Sequence, residues 1–451
     1  MRYDELIGCS VVVWGAGREG RAAYDELERR GIPASIAVTG GGEVPSDLAS
    51  LTSPSGVLIA VAGDAAIERL AAADVVVKSP GIAHTDPTYL DLIARGVRVT
   101  TLTDLWLHER ADRVIGVTGT KGKSTTAALI DHLLRSAEVT STLVGNGGVP
   151  VTVGDDGTTA VAVTEVSSYQ AADLTTSPRV AVVTSLYPEH LPWHGSYEQY
   201  VADKLNLVAK GAASVVIPNR DSVVGRAVLE RLPPATPVRT PADLGIEASD
   251  QALTWDGVGA LPANQIPLRG RHNMVNATLA LTAVVEFLGR DAVDASALLA
   301  AVAGFTPLTH RLERVPSTDG REWIDDGLAT APEAVVAGLE SFAAARVVLL
   351  VGGFDRGLAF EPLIAYLADR SPEVPVTAIA VGPAGARLAR EAGDRVPGIR
   401  VAPSFATALD WARTESPNTD VVMLSPGAPS FDEFVDYEAR SAAFREAAAR
   451  A

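Results

Sequence analysis

Short apolar, β-branched runs punctuate the chain at intervals: SVVVWG, GVLIAVA, DVVVKS, VIGVTG, TAVAVTEV, RVAVVTSL, ASVVIP, ARVVLLVGG, VTAIAVG and DVVMLSPG. They lack the polar alternation of a half-exposed strand, and Gly or Pro closes them. Strands buried on both faces read this way. Stretches rich in Ala and Leu at helical spacing separate them, so the pattern predicts an α/β protein with mostly parallel sheets covered by helices on both faces. No short internal repeat is visible.

The pattern restarts twice. One restart lies near TDLWLHERADR, residues 103–113, a polar helical stretch just before a new buried strand; the other lies near GFTPLTHRLERV, residues 304–315. Three α/β domains are therefore expected, at 1–107, 108–307 and 308–451. Within the second, the Pro-rich stretch 235–270 is irregular and suggests a short strand excursion.

Composition narrows the function. The 451 residues carry a formal net charge of −17 with an isoelectric point near 4.9, which argues against a nucleic-acid groove. Small anions must then be held by local sites. The single Cys9 excludes an intramolecular disulfide and a Cys-rich zinc centre, and reads as a small core filler. Asp4 and Glu5 stand where a signal peptide needs positive charge, and no apolar run approaches the roughly 18 residues of a membrane span. A cytoplasmic monomer without a membrane partner is the expectation.

The strongest chemical signal is VIGVTGTKGKSTTAALI, residues 114–130: a buried strand, a Gly-rich turn, then a helix. Backbone N–H groups and the positive end of the helix suit a phosphate, Lys123 neutralises it, and Ser124 or Thr125 offers a hydroxyl to Mg²⁺. The loop departs from G-x-x-x-x-G-K-[ST], because Val117 stands where the first Gly belongs and Gly119 comes two residues later. That shorter loop lowers the reading as a motor or switch ATPase. Phosphoryl transfer and carboxylate activation stay open at this point.

A second Gly-rich turn, Gly15-Ala16-Gly17-Arg18-Glu19-Gly20, follows SVVVW and matches G-x-G-x-x-G. A nicotinamide site usually adds an acidic residue at the end of the next strand, yet ASIAVTGGG ends in Thr39 and glycines. Another phosphate-bearing ligand is the better reading, with a tight structural turn as the bland one. Ser79-Pro80-Gly81-Ile82 gives a strand-end loop able to face the same ligand. Glu165 ends TAVAVTEV, His190 lies in YPEHLPWHG, and Lys204 follows in YEQYVADKLNLV. Alone, His190 reads as a loop residue and Lys204 as a solvated helix position. Grouped behind a phosphate loop, the carboxylate and the imidazole become candidate Mg²⁺ ligands.

Taken together, GTKGKSTT, GNGG at 145–148, EVSSYQ, PEHLPWHG with Lys204, GRHNMVNA at 270–277 and LTHRLE at 308–313 resemble the Mur ligases, ATP-dependent amino-acid-adding enzymes of peptidoglycan precursor synthesis, along essentially the whole chain. SPGI and LSPGAPSFDEF are similar to the glutamate-adding branch. The resemblance implies three domains: a Rossmann-like domain for the UDP end of the substrate, a central ATP-binding domain, and a Rossmann-like domain for glutamate that closes over the site. It implies ATP contacts at Gly119, Thr120, Lys121, Gly122, Lys123, Ser124, Thr125, Asn273, Asn276, Arg311 and Asp326. Mg²⁺ would be held by Ser124, Glu165, His190 and a carbamylated Lys204, and catalysis would rest on Lys123, His190 and Lys204. Gly15, Ala16, Gly17, Arg18, Ser79, Pro80, Gly81, Ile82 and Asn146 would bind the UDP-linked substrate, UDP-N-acetylmuramoyl-L-alanine.

The resemblance departs at the glutamate site. Where D-glutamate-adding members carry a lysine in D-S-K-A-T-N, this chain reads Asp326-Gly327-Leu328-Ala329-Thr330-Ala331, and the second cation, after Gly352-Gly353, is Arg356. An Arg fork and a Lys point charge hold a carboxylate differently. Together with WGAGREGRAAY and SPGAPSF, this resembles the variant branch that adds L-glutamate, with D-glutamate as the alternative. Thr330, Arg356, Ser430 and Tyr437 are the candidate glutamate residues. A P-loop switch module, a folylpolyglutamate-synthase-like ligase and a nicotinamide oxidoreductase are the rival readings.

Overall fold

The computed structural model describes every residue except 41–42, 47, 49–58, 146–148, 155–158 and 415–418. The chain divides into two compact units, one made of Met1–Gln265 with Val275–Phe305, the other of Ile266–Met274 with Thr306–Ala451.

The first unit holds two parallel sheets. In the first, β1 (Val11–Trp14), β2 (Ala34–Val38), β3 (Ala60–Ala62), β4 (Val75–Lys78) and β5 (Arg98–Thr100) lie in the order β3-β2-β1-β4-β5. β1 and β4 are buried along their whole length, as continuous Val runs require of central parallel strands. The order reverses between β1 and β4, and the loops after these two strands are the Gly15–Gly20 turn and the Ser79–Ile82 loop. A crevice at such a reversal is where open α/β sheets bind ligands.

The second sheet runs β11-β10-β9-β6-β8-β7 and is parallel throughout. Its strands are β6 (Val114–Thr118), β7 (Ser141–Gly145), β8 (Val161–Glu165), β9 (Val180–Val183), β10 (Ser214–Val216) and β11 (Val238–Arg239). β6 lies between β8 and β9, so the phosphate loop, Glu165 and the end of β9 leave the sheet side by side. The expected excursion is a small antiparallel sheet of β12 (Ile246–Ala248), β13 (Ala252–Trp255) and β14 (Gly259–Pro262).

One apolar core joins the two parallel sheets of this unit, with Val13, Leu27 and Leu105 contiguous with Val114, Val183 and Leu205. Polar ties reinforce it. Buried Lys78 at the end of β4 pairs with Asp173 at 2.9 Å, and His84 reaches the same carboxylate at 2.8 Å. Burial alone would raise the Asp173 carboxyl, but the His84 hydrogen bond and the Lys78 charge hold it below the usual range.

The second unit carries a sheet in the order β15-β16-β20-β17-β18-β19, parallel except where β15 (Glu313–Val315) meets β16 (Glu322–Asp325). The others are β17 (Val347–Gly352), β18 (Val376–Val381), β19 (Arg400–Val401) and β20 (Val421–Leu424). Apolar cores cover both faces of this sheet, one around Leu349 and Leu363, the other around Trp323 and Phe444. Among the described residues no helix is long and apolar enough to cross a membrane.

Candidate functional site

The turn after β6 is forced by sterics. Gly119 has φ +146, and a Cβ there would lie 1.9 Å from Thr184 Oγ1, so no other residue fits without moving β9's end. Gly122, at φ +87, brings the chain into the helix Lys123–Ser136, with Lys123, Ser124 and Thr125 in its first turn. Ser185 takes the N–H groups of Thr120 and Lys121, through its carbonyl and its hydroxyl respectively, each at 2.8 Å. These two residues therefore fasten the loop, and the anion-facing part begins at the helix start, where backbone donors and dipole coincide. The Lys123 ammonium folds back to the Thr120 carbonyl at 3.1 Å.

Lys204 is brought beneath the loop by the helix Tyr197–Ala209. Its Nζ donates to the Gly119 carbonyl at 3.0 Å with only 1% of the residue exposed. Burial, with the charge of Lys123 adding to it, drives this amine well below an ordinary lysine pKa; Glu189 and Glu165 oppose the shift without cancelling it. One turn earlier on the helix, Tyr200 hydrogen-bonds Thr120 Oγ1 at 2.7 Å. Glu165 closes β8 and is buried. Thus the structure gathers Lys123, Glu165 and Lys204 as the sequence led us to expect, and adds Glu189, whose carboxylate holds Lys121 at 2.9 Å.

His190 sits at φ +57 just before the short helix Leu191–His194, and burial lowers its pKa despite neighbouring Glu189. His194 was not anticipated. Fully buried, it links Asp203 Oδ2 through Nδ1 at 2.6 Å and Ser168 Oγ through Nε2 at 3.0 Å. It thereby fixes the residue next to Lys204 to the segment after β8. Trp193 Nε1 donates to the Gly81 carbonyl at 3.0 Å, tying the same loop to the first sheet. Asn276 packs against the phosphate loop, its Oδ1 2.6 Å from where a Gly122 Cβ would stand.

The loops at the strand-order reversal open into a cavity of about 390 Å³. Gly15, Gly17, Arg18 and the whole Ser79–Ile82 loop line it, as expected, whereas Ala16 is not part of the lining. Its remaining walls come from Glu19, Gly145, Pro150, Ser167, Tyr169 and Gln170, which sequence reasoning did not single out as ligand-binding. EVSSYQ carried the signal, since a strand-end carboxylate is followed there by side chains projecting from the next turn. Asn146 lies outside the described residues.

In the second unit, Asn273 donates to the Arg269 carbonyl at 2.7 Å. Asp326 is buried and accepts from Ser425 at 2.7 Å; burial, only partly offset by that bond and by Arg311, pushes its pKa up to about 7. Three strand-end loops meet on one side chain: Arg440, 2% exposed, donates to the carbonyls of Gly327, Gly352 and Ala428 at 3.2 to 3.5 Å. Above them exposed Arg356 reaches the Thr330 carbonyl at 3.2 Å and borders a shallow depression with Ala428 and Pro429. Ser430 is buried on the same loop, whereas Tyr437 stands edge-on to His310 at 5.6 Å. His310, Glu313 and Asp325 converge with the spacing of metal ligands, but the Arg445 guanidinium lies 2.5 Å from Glu313 and 3.2 Å from Asp325. The cation there is already an arginine.

Family models described as the Mur ligase middle domain and the Mur ligase glutamate ligase domain match residues 117–284 and 310–427. A relative from Salinispora tropica, named UDP-N-acetylmuramoyl-L-alanine--L-glutamate ligase, is 41% identical over 99% of both chains. The chain belongs to the Mur ligase family. A protein of the same name from Xanthomonas axonopodis pv. citri is 38% identical over 99% of this chain and 97% of its own. In fold, this Mur ligase is similar to a MurF ligase from Thermotoga maritima in complex with ADP, with a TM-score of 0.58 at 16% identity over 99% and 96% of the two chains. It is also similar to a UDP-N-acetylmuramate-alanine ligase from Thermotoga maritima, with a TM-score of 0.56 at 17% identity over 97% and 98%. This Mur ligase is accordingly an ATP-dependent ligase joining an acid to an amino acid.

Proposed function

We propose that this Mur ligase adds L-glutamate to UDP-N-acetylmuramoyl-L-alanine in the cytoplasm, through an acyl phosphate, giving ADP and phosphate. The observation that carries carboxylate activation, as against a nucleotide switch, is the buried Lys204 amine on the Gly119 carbonyl beside Glu165. A nucleotide switch has no use for a buried amine under its phosphate loop. A metal-ligating carbamate does, because a neutral amine adds CO₂ and releases a proton to become an anion. The donor set suits Mg²⁺, which takes few protein ligands and keeps phosphate oxygens and water. Ser124, Glu165, His190 and carbamylated Lys204 would hold it, and it would supply positive charge against the triphosphate.

The terminal phosphoryl group of ATP passes to the L-alanyl carboxylate, and the bond to ADP breaks. The glutamate amine loses a proton and attacks the acyl carbon, and phosphate leaves from the tetrahedral intermediate. Lys123 and the first turn of its helix offset charge on the transferred group. The turn held by Ser185 and Tyr200 keeps those donors positioned before ATP arrives, so little reorganisation is needed at transfer.

L-glutamate is favoured over D-glutamate on two grounds: the curated relatives carry that name, and Leu328 stands where a lysine would be while Arg356, on the Thr330 carbonyl, offers an exposed cation among the glutamate loops. Losing one charged hydrogen bond costs about 1.5–3 kcal/mol, enough for roughly ten- to hundredfold discrimination. The test is phosphate release with UDP-N-acetylmuramoyl-L-alanine and each enantiomer. L-glutamate should give the higher kcat/KM, and Lys123→Ala should remove turnover while the protein stays folded. Equal or better turnover with D-glutamate overturns the stereochemistry alone. Acceptor-independent ATP hydrolysis overturns the ligase mechanism.

A further inference from the structure

The cavity at the reversal of the first sheet holds an acid where an anion is expected to bind. Glu19 lies in the first turn of the helix Arg18–Arg29, directly after the Gly15–Gly17 turn. One of its oxygens, Oε1, accepts from Gln170 Nε2 at 3.2 Å. The other, Oε2, is buried on the cavity wall with no hydrogen-bond partner among the described residues, as is the nearby Ser79 hydroxyl. Two buried polar atoms left unmatched in one cavity point to a ligand that completes them. Yet an ionised carboxylate facing the pyrophosphate of a UDP-linked sugar is repelled by it, the more so in a partly desolvated cavity.

We propose that Glu19 binds the pyrophosphate as the neutral acid, with the proton on Oε2 donated to a phosphate oxygen while Oε1 keeps its bond from Gln170. This rests on the reading of the cavity as the UDP-substrate site and deepens it. The side chain then does the work of a hydroxyl or amide donor. Two groups act on it from the packed elements: the Gln170 amide from the segment after β8, and the Arg18 charge from its own helix. Both favour the ionised form, but burial outweighs them and raises its pKa even before an anion arrives. Ligand charge raises it further, so binding takes up a proton. Ser79, on the opposite loop, is a second donor.

The experiment is calorimetric titration of the full-length protein with UDP-N-acetylmuramoyl-L-alanine at pH 8.5, in two buffers of different ionisation heat. The pyrophosphate of this ligand is a diester and does not titrate there. Wild type should take up a substantial fraction of one proton, and its Kd should rise with pH between 7 and 9, by up to tenfold per unit. Glu19→Gln, which donates without titrating, should take up correspondingly less and hold a flat Kd, while Glu19→Ala should bind weakly at every pH. Tight binding with the same proton uptake in wild type and Glu19→Gln, or with none in wild type, overturns the proposal and leaves the substrate site standing. Failure of folded wild type to bind this ligand at all overturns the reading of the cavity as well.

Discussion

Lys204 under the phosphate loop and Arg440 under the loops of the last sheet occupy the same kind of place. Each is a long basic side chain, almost wholly buried, donating to backbone carbonyls at the ends of parallel strands. Among the described residues neither has a carboxylate within ion-pair distance. Burial lowers both pKa values, and the outcomes diverge because the two groups start from different basicities. The Lys204 amine falls well below its ordinary value, whereas the Arg440 guanidinium falls only to about 10 and stays charged at neutral pH. One burial site thus disfavours the charged form of its amine, and the other keeps a charge that gathers three loops through the two terminal nitrogens of a planar fork.

Exchanging the head groups tests this contrast most severely. Lys204→Arg places a group that forms no carbamate in the first site, and turnover should fall by about 10³-fold or more, a barrier increase of roughly 4 kcal/mol. Lys204→Ala should regain part of its activity with short-chain carboxylic acids, and absence of rescue in the folded protein would dissolve the distinction drawn above. The reciprocal change, Arg440→Lys, removes the fork but not the length. KM for glutamate should rise roughly tenfold, about 1.4 kcal/mol, with KM for ATP unchanged. Parallel changes in both constants would mean that Arg440 serves general stability only.

The smallest effect concerns the buried acid beside the same loops. The Asp326 pKa of about 7 lies above its unfolded value, so its contribution to stability is fully present below about pH 4 and is lost as pH rises through 7. Asp326→Asn should flatten the denaturation midpoint against pH between 4 and 7, in urea titrations. An unchanged slope would place the titration elsewhere.

How far the chain was legible depended on what each element is made of. Central strands such as Val75–Lys78 and Val347–Gly352 are continuous apolar runs and could be read directly. Edge strands such as Arg98–Thr100, Glu313–Val315 and Arg400–Val401 are two or three residues long and charged, so their pairing comes from neighbours and not from pattern. The same division runs through the sites. Lys123 and Glu165 sit at a phosphate loop and a strand end that the pattern shows, whereas Lys204 alone reads as a solvated helix position and only the resemblance gave it a role. Glu19, His194 and Arg440 act through partners distant in sequence, Gln170, Ser168 and Gly327 among them, which no local pattern announces. Arg356 and Thr330, named from two separate motifs, meet through the Thr330 carbonyl.

The second unit also borrows a piece of chain from the middle of the first. Residues Ile266–Met274 belong to it, with Arg269 paired to Glu322 at 2.8 Å and its guanidinium over the Phe342 ring. On the ribosome this segment emerges before any of its partners. At about 5–20 residues per second, it waits on the order of seconds while Val275–Phe305 and the first strands of the next sheet follow. The two units are therefore not beads made one after the other. Synthesis leaves a loose end in the first that only the second can take up, and the order of translation makes completion of the fold a late, shared event.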